Sequence, residues 1–419
     1  MTMSHTPRSP RSRTVLGCAL LLAPLIATGL TGCGGPSSDP LAAKPYDAAD
    51  QVAFSGVGGS HKADPDKPLE VTAKGDDSRI TDVTATDSAG RYVRGELTPD
   101  GKRWRSTVPL AAGTHYTLRV STEDADGAPG RRTIGFDTSG AESKLRVTFG
   151  PDAGTYGVGQ PVTASLNAPV KDASARAVVE RALKVDSQPA VDGVWHWVDD
   201  RTLHYRPRDY WPAHATIDVH ANLKGIRVAN GLYGAASKPL RLHTADRLEA
   251  ITDSGTHQMT VLKNGQAIRT IPITTGMPGF DTRNGIKVIL AKESSVRMTG
   301  ASIGLGNSYD LLVHWAARVT WSGEYVHAAP WSVGSQGAAN VSHGCTGMSN
   351  ENARWFFDTV RLGDIVKVVN SHGAMMTTFD NGFGDWNMAW DKWRAGSAVA
   401  SARADGGTTA ESARLRPQV

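Results

Sequence analysis

The chain has 419 residues, 40% hydrophobic and 21% charged, with 45 glycines and 22 prolines. That is a globular composition about three domains long, which excludes wholesale disorder and collagen-like repeats. The formal net charge of +4 falls to +1 once Arg8, Arg11 and Arg13 at the N-terminus are set aside, so a nucleic-acid partner, which needs a clustered basic face, is excluded.

Behind those arginines, residues 14–32 carry no charge and Val15 to Leu30 is almost wholly apolar. A positive segment followed by an apolar run of this length reads as a secretory signal, not a folded helix. The run ends Leu30-Thr31-Gly32-Cys33, which resembles a bacterial lipobox, where cleavage precedes the cysteine and the new N-terminus is lipidated. An ordinary signal with an incidental cysteine is the alternative. No later segment reaches the ~20 apolar residues of a membrane span. The expectation is a leader over 1–33, a Gly/Pro/Ser/Ala-rich spacer over 34–45, and a protein anchored through Cys33 on the extracellular face of the membrane.

From 46 to 140 the chain shows short alternating runs, such as Leu69 to Thr72 and Tyr116 to Val120, separated by Asp100-Gly101, Ala112-Gly113 and Asp126-Gly127. The spacing predicts a β-sandwich. A second block over 141–245 repeats it, with Leu145 to Phe149, Leu203 to Arg206 and Ile217 to His220 as strands and one short helix over Ala173 to Leu183. Trp195, Trp197 and Trp211 suit core packing better than a sugar-stacking face. The third block, 246–371, opens with strands flanking Lys263-Asn264-Gly265-Gln266; Asn-Gly is the strongest short hairpin signal, because both central residues of its turn take positive φ. A helix is expected over Ser349 to Leu362, capped by Ser349 or Asn350, favoured by Glu351 in its first turn and ended by Gly363. Trp386, Trp390 and Trp393 are spaced as one helix face, docked on the preceding domain, within a C-terminal subdomain over 372–398. A disordered tail is expected over 399–419.

The cysteines are Cys18, Cys33 and Cys345. With the leader removed and Cys33 acylated, one free thiol remains, which has no disulfide framework to join. Around it the sequence reads YVHAAPWSVGSQGAANVSHGCTGMS, placing His327 18 residues before Cys345 across a small-residue loop. A cysteine nucleophile needs a base to form thiolate, a group to orient that base, and donors for an oxyanion. Gly344 allows a sharp turn whose consecutive N–H groups converge on one concavity beside the thiol. Two other readings compete: zinc held by His327, His343 and Cys345, without the paired spacing such sites favour, and an inert buried thiol, for which a glycine-flanked position among polar residues is a poor setting.

The pattern of His, a 14-residue gap and Ser-His-Gly-Cys resembles the signature of the YkuD-type L,D-transpeptidase catalytic domain. HAAPWSVGSQG, SHGC and RWFFDTVRLGDIVKVVN are similar to mycobacterial-type members, GVWHWVDDRTLHYRPRDYWP resembles their second immunoglobulin-like domain, and GDWNMAWDKWRAG their C-terminal subdomain. The resemblance implies a mostly β chain: two tandem Ig-like β-sandwiches, then a YkuD-type β-rich catalytic domain with a short helix and a C-terminal helical subdomain. It implies Cys345 as nucleophile, His327 as general base and the backbone carbonyl of Ala328 as the third member. It places the oxyanion hole at the N–H groups of His343, Gly344 and Cys345, and substrate contacts at Tyr309, Ser322, Gly323, Trp331, Ser342 and Gly347. The implied reaction is a 3→3 peptidoglycan crosslink through a cysteine thioester, with release of D-Ala. The partners are peptidoglycan stem peptides and carbapenem-type inhibitors, with no cofactor and no metal. Two positions depart from the family pattern: Gly347 stands where relatives often have Asn, and Arg283 where many have Pro. A wall-binding protein with a lapsed site and a cysteine endopeptidase of the wall are the competing functions.

Overall fold

The computed structural model describes residues 44–55, 62–303, 306 and 309–400. The leader, Cys33, most of the spacer and the tail from 401 lie outside the described residues. Among the described residues no helix is long and apolar enough to cross a membrane.

In the first region, strands Tyr46–Asp47, Pro129–Thr138, His115–Glu123 and Arg79–Asp87 form one sheet in that order, with Lys62–Ala63 also paired to Pro129–Thr138. The facing sheet runs Val52–Ser55, Glu70–Ala73, Arg103–Ser106, Gly95–Leu97. Alternation turns Tyr116, Leu118 and Val120 inward onto Val71, Trp104 and Phe136, which closes one sandwich core. The second region repeats the plan. Val147–Gly150, Val162–Leu166, Thr202–Pro207 and Gly193–Trp197 face Gly154–Tyr156, Leu240–Thr244, Thr216–Ala221 and Leu183–Gln188. Its helix α1, Ala173–Ala182, starts where the Asp172 side chain accepts the N–H of Ala175. Trp195, Trp197 and Trp211 are buried in this core, so none offers a face to a sugar.

The third region holds two sheets. The first comprises β1 (Leu248–Asp253), β2 (Gln258–Lys263), β3 (Gln266–Pro272), β4 (Gly285–Val288) and β9 (Ile365–Val369), in the order β3-β2-β1-β9-β4. The second comprises β5 (Ala291–Thr299), β6 (Asp310–Arg318), β7 (Tyr325–Ala328) and β8 (Thr346–Met348), in sequence order. The β2–β3 turn has φ of 51° at Asn264 and 83° at Gly265, the doubly positive geometry the hairpin needs. Helix α2, Asn350–Thr359, is capped by Ser349, whose hydroxyl accepts the N–H of Asn352. It packs Ala353 and Phe356 into the core between the sheets.

Two expected features differ. Gly363 does not end α2: the helix stops at Thr359 because Val360, extended, is drawn into the core, and Gly363 turns the chain into β9. The tryptophan segment is not one helix. A 3-10 turn, Asp385–Asn387, and α3, Trp390–Ala395, are separated by extended Met388. The cause is Arg206 of the second sandwich, fully buried. Its guanidinium donates to the Met388 carbonyl at 2.7 Å and takes the rings of Trp386, Trp390 and Trp393 at 4.9, 5.4 and 4.4 Å. His204 and Asp385 add a buried 2.8 Å contact. This C-terminal segment therefore clasps the second sandwich to the third region.

Candidate active site

β7 and β8 are parallel neighbours in which His327 pairs with Gly347. Cys345 lies two residues before Gly347, so its side chain shares the face of His327. Strand spacing and rise put their Cα atoms about 8 Å apart, within side-chain reach. Both line one cavity of about 170 Å³. Its walls include Tyr309, Trp331, Ser342, His343 and Gly347, together with Thr274, Met298, Leu311 and Val313. The last three come from the β5–β6 hairpin, where Met298 faces Leu311 in register. Among the described residues no cluster of His, Cys, Asp or Glu has the makings of a metal site.

His327 is buried, and its Nδ1 lies 2.7 Å from the Ala328 carbonyl. A carbonyl only accepts, so Nδ1 carries the proton and Nε2 keeps its lone pair for the cavity. Burial lowers the imidazole's pKa against the opposing pull of that carbonyl, which holds it neutral at pH 7.

The elbow is fixed from several sides. Gly344 has φ of +118°, open to glycine but strained for other residues. Ser342 donates to the Cys345 carbonyl at 2.6 Å and accepts the Gly344 N–H at 3.2 Å. Thr282 donates to the Gly344 carbonyl at 2.9 Å. The returning loop is anchored by Asn340, which accepts the N–H of Thr275 and donates to the Ser254 carbonyl.

The Cys345 sulfur is half-buried and faces the cavity. Behind it, Sγ lies 3.6 Å from the Gly323 carbonyl. Burial pushes the thiol up to about 11; the Tyr325 N–H and Lys287 pull it down, and Glu324 pushes it up. The sulfur at rest is therefore a thiol, which needs a base to become the nucleophile.

Ser322 and Gly323 belong to the turn between β6 and β7 and do not line the cavity that holds His327; Gly323 meets the sulfur through its carbonyl, and Asn381 fixes Ser322. His343 is exposed at the cavity mouth, its ring 4.8 Å from that of Phe280 and 5.0 Å from that of Tyr309. The Trp331 ring, 6.2 Å from that of His327, stands half in solvent. Gly347 bonds in both directions with Thr274, which ties β8 to the first sheet. Sequence reading missed Thr274, Met298, Asn340, Lys287 and Glu324. Leu311 and Val313 lie on β6, and nothing local in the sequence tells which face they present.

Two β-sandwiches carrying a β domain with a thiol and an oriented imidazole in one cleft define the class as a multidomain β protein with one candidate active site. Comparison with known proteins narrows the class. Residues 60–227 match the bacterial Ig domain, and residues 248–368 match the L,D-transpeptidase catalytic domain. L,D-transpeptidase 2 of Mycobacterium tuberculosis is 35% identical over 80% of this chain and 82% of its own length. L,D-transpeptidase 5 of the same species is 32% identical over 94% of this chain and 88% of its own. A solved LD transpeptidase in complex with imipenem aligns at 37% identity with a TM-score of 0.46, covering 53% of this chain and 97% of that one. The chain belongs to the L,D-transpeptidase family of peptidoglycan-crosslinking acyltransferases.

Proposed function

We propose that this protein forms 3→3 crosslinks by acyl transfer through Cys345. The observation that carries the reading is the shared cavity, in which Cys345 meets an imidazole whose outer nitrogen is already occupied by the Ala328 carbonyl. The Cys345 S–H gives its proton to Nε2 of His327 while the sulfur attacks the carbonyl of the third residue of a tetrapeptide stem. The oxyanion is held by the N–H groups of His343 and Cys345, since that of Gly344 is already accepted by Ser342. His327 then protonates the departing D-Ala amine, leaving a thioester. The side-chain amine of a diamino acid on a second stem attacks that thioester, His327 takes the amine's proton, and the thiol is restored. No ATP is needed, because the cleaved peptide bond supplies the acyl group in activated form. Trp331, Tyr309 and the apolar β5–β6 wall would flank the stem.

The reading extends to the N-terminus: a lipid on Cys33 would tether the chain to the extracellular face of the membrane, from which it acts on the wall. A carbapenem, whose strained ring carbonyl is open to the same attack, would acylate Cys345. The test is mass spectrometry of muropeptides incubated with the protein. Cys345→Ala is expected to abolish 3→3 products with its far-ultraviolet circular dichroism unchanged; crosslinking at the wild-type rate would reject the assignment. Tripeptide product without crosslinks would instead show water as the acceptor.

A further inference from the structure

Behind the elbow lies a buried charged cluster that the reaction just described does not use. Lys287 of β4 is completely buried and donates to Oε2 of Glu324 at 2.6 Å. The backbone N–H of Arg283 and its guanidinium both reach Oε1 of Glu324 at 3.1 Å. Glu324 is thus gripped by the segment 283–287, which Thr282 also joins to the Gly344 carbonyl. The residues on either side of Glu324 flank the sulfur. The Gly323 carbonyl is 3.6 Å from Sγ, and the Tyr325 N–H points at it. A Cβ built on Gly344 would lie 3.9 Å from Glu324 Cγ, so the carboxylate's own stem backs the elbow.

We propose that Glu324 is a positioning residue for the nucleophile. Its bonds to Lys287 and Arg283 lock the Gly323–Tyr325 backbone against Sγ, and those two cations offset the negative charge that would otherwise oppose loss of the thiol proton. The proposal rests on Cys345 being the nucleophile. A carboxylate this close to the sulfur is electrostatically unfavourable by itself. Lys287 exists in the core because the carboxylate is there, and burying either alone would be costly. The Tyr325 N–H favours thiolate and the Gly323 carbonyl favours thiol, so holding this backbone at a set distance decides how readily the proton leaves. His327, His343, Tyr309 and Tyr325 also face the sulfur and are unchanged in every variant below, so they contribute a constant background.

The test compares two readouts on the full chain. One is the rate of Cys345 alkylation by iodoacetamide across pH 7–10, read on the peptide carrying Cys345 so that Cys18 and Cys33 do not interfere. The other is crosslink formation. Glu324→Gln is expected to raise alkylation several-fold, because the opposing charge is gone, and to lower crosslinking about tenfold or more, because the backbone beside Sγ is freed. Arg283→Gln removes a half-exposed partner and keeps the backbone N–H bond. It is expected to fold as wild type and to lower both readouts by about threefold, with the alkylation profile moved to higher pH. Should Glu324→Gln fail to fold, Arg283→Gln decides alone. The proposal is overturned if Glu324→Gln leaves crosslinking intact, if alkylation and crosslinking fall together in it, or if Arg283→Gln changes neither. Because alkylation reads ionisation whether or not Cys345 is the nucleophile, these outcomes are separate from the Cys345→Ala result.

Discussion

Gly347→Ala tests the packing on which the cleft depends. Gly347 is buried at the junction of the two sheets, partnered by His327 on one side and Thr274 on the other. A Cβ there would come within 2.9 Å of Ala329 Cβ and 3.0 Å of Thr274 Cγ2. Carbon atoms pack best at about 3.5–4.0 Å, so Ala329 and Thr274 must each give way by roughly half an ångström or more. Overpacking of this kind costs ~1–3 kcal/mol. It also moves His327 relative to Cys345, and a displacement on the order of 1 Å costs on the order of a hundredfold in rate. The expected result is a thermal midpoint lowered by about 2–4 °C for each kcal/mol, with crosslinking reduced at least tenfold by product mass spectrometry. Gly347→Asn carries the same clash and is not expected to improve turnover. Adding Thr274→Ser, which removes the methyl but keeps the hydroxyl that accepts the Val341 N–H at 2.9 Å, should recover part of the loss. A Gly347→Ala protein with wild-type midpoint and rate would refute the reasoning.

Alkylation of Cys345 in the unsubstituted protein should keep climbing beyond pH 9, since burial pushes the thiol up to about 11; a plateau reached by pH 8 would show a preformed thiolate. Since His327 is shifted below its ordinary value by burial, acylation of Cys345 by a carbapenem, which involves no acceptor amine, should not decline as pH falls from 7.5 to 6.5; a midpoint at or above pH 7 would contradict a neutral buried base. Asp364 is held up to about 7 by burial, from an ordinary 3.8. The folded state therefore binds the extra proton between those values, so this group's contribution to stability is present below about pH 4 and lost by about pH 7, at up to ~1.4 kcal/mol per pH unit. Asp364→Asn should flatten urea-unfolding stability over that window, and an unchanged slope would assign the pH dependence elsewhere. Trp393→Ala, at a ring with no exposed surface, should cost about 3–5 kcal/mol and release the C-terminal segment to proteolysis near Gly396; unchanged protease resistance would show that Arg206 and Asp385 hold the clasp without it.

The sequence by itself determined what a few neighbouring residues can settle. Asn264-Gly265 selects its turn through φ alone, Ser349 caps α2 through a hydroxyl three residues from its partner, and strict alternation makes Tyr116 to Val120 a half-buried strand. The pairing of His327 with Cys345 was legible because thiol chemistry demands a base, and the family pattern supplied the rest. The tertiary structure decided whatever depends on segments far apart in the chain. Arg206 breaks a tryptophan stripe that looked like one helix, because its guanidinium needs the carbonyl of Met388. Val360 ends α2 before Gly363 because the core takes it. Met298, Leu311 and Val313 wall the cleft only once β6 lies beside β7. Lys287 and Glu324 are 37 residues apart, and only folding places one carboxylate between two cations at the back of the sulfur. Local conformation is encoded by steric limits and hydrogen bonds within a turn, whereas burial, and with it the ionisation of Cys345, His327 and Asp364, is a property of what the rest of the chain packs around them.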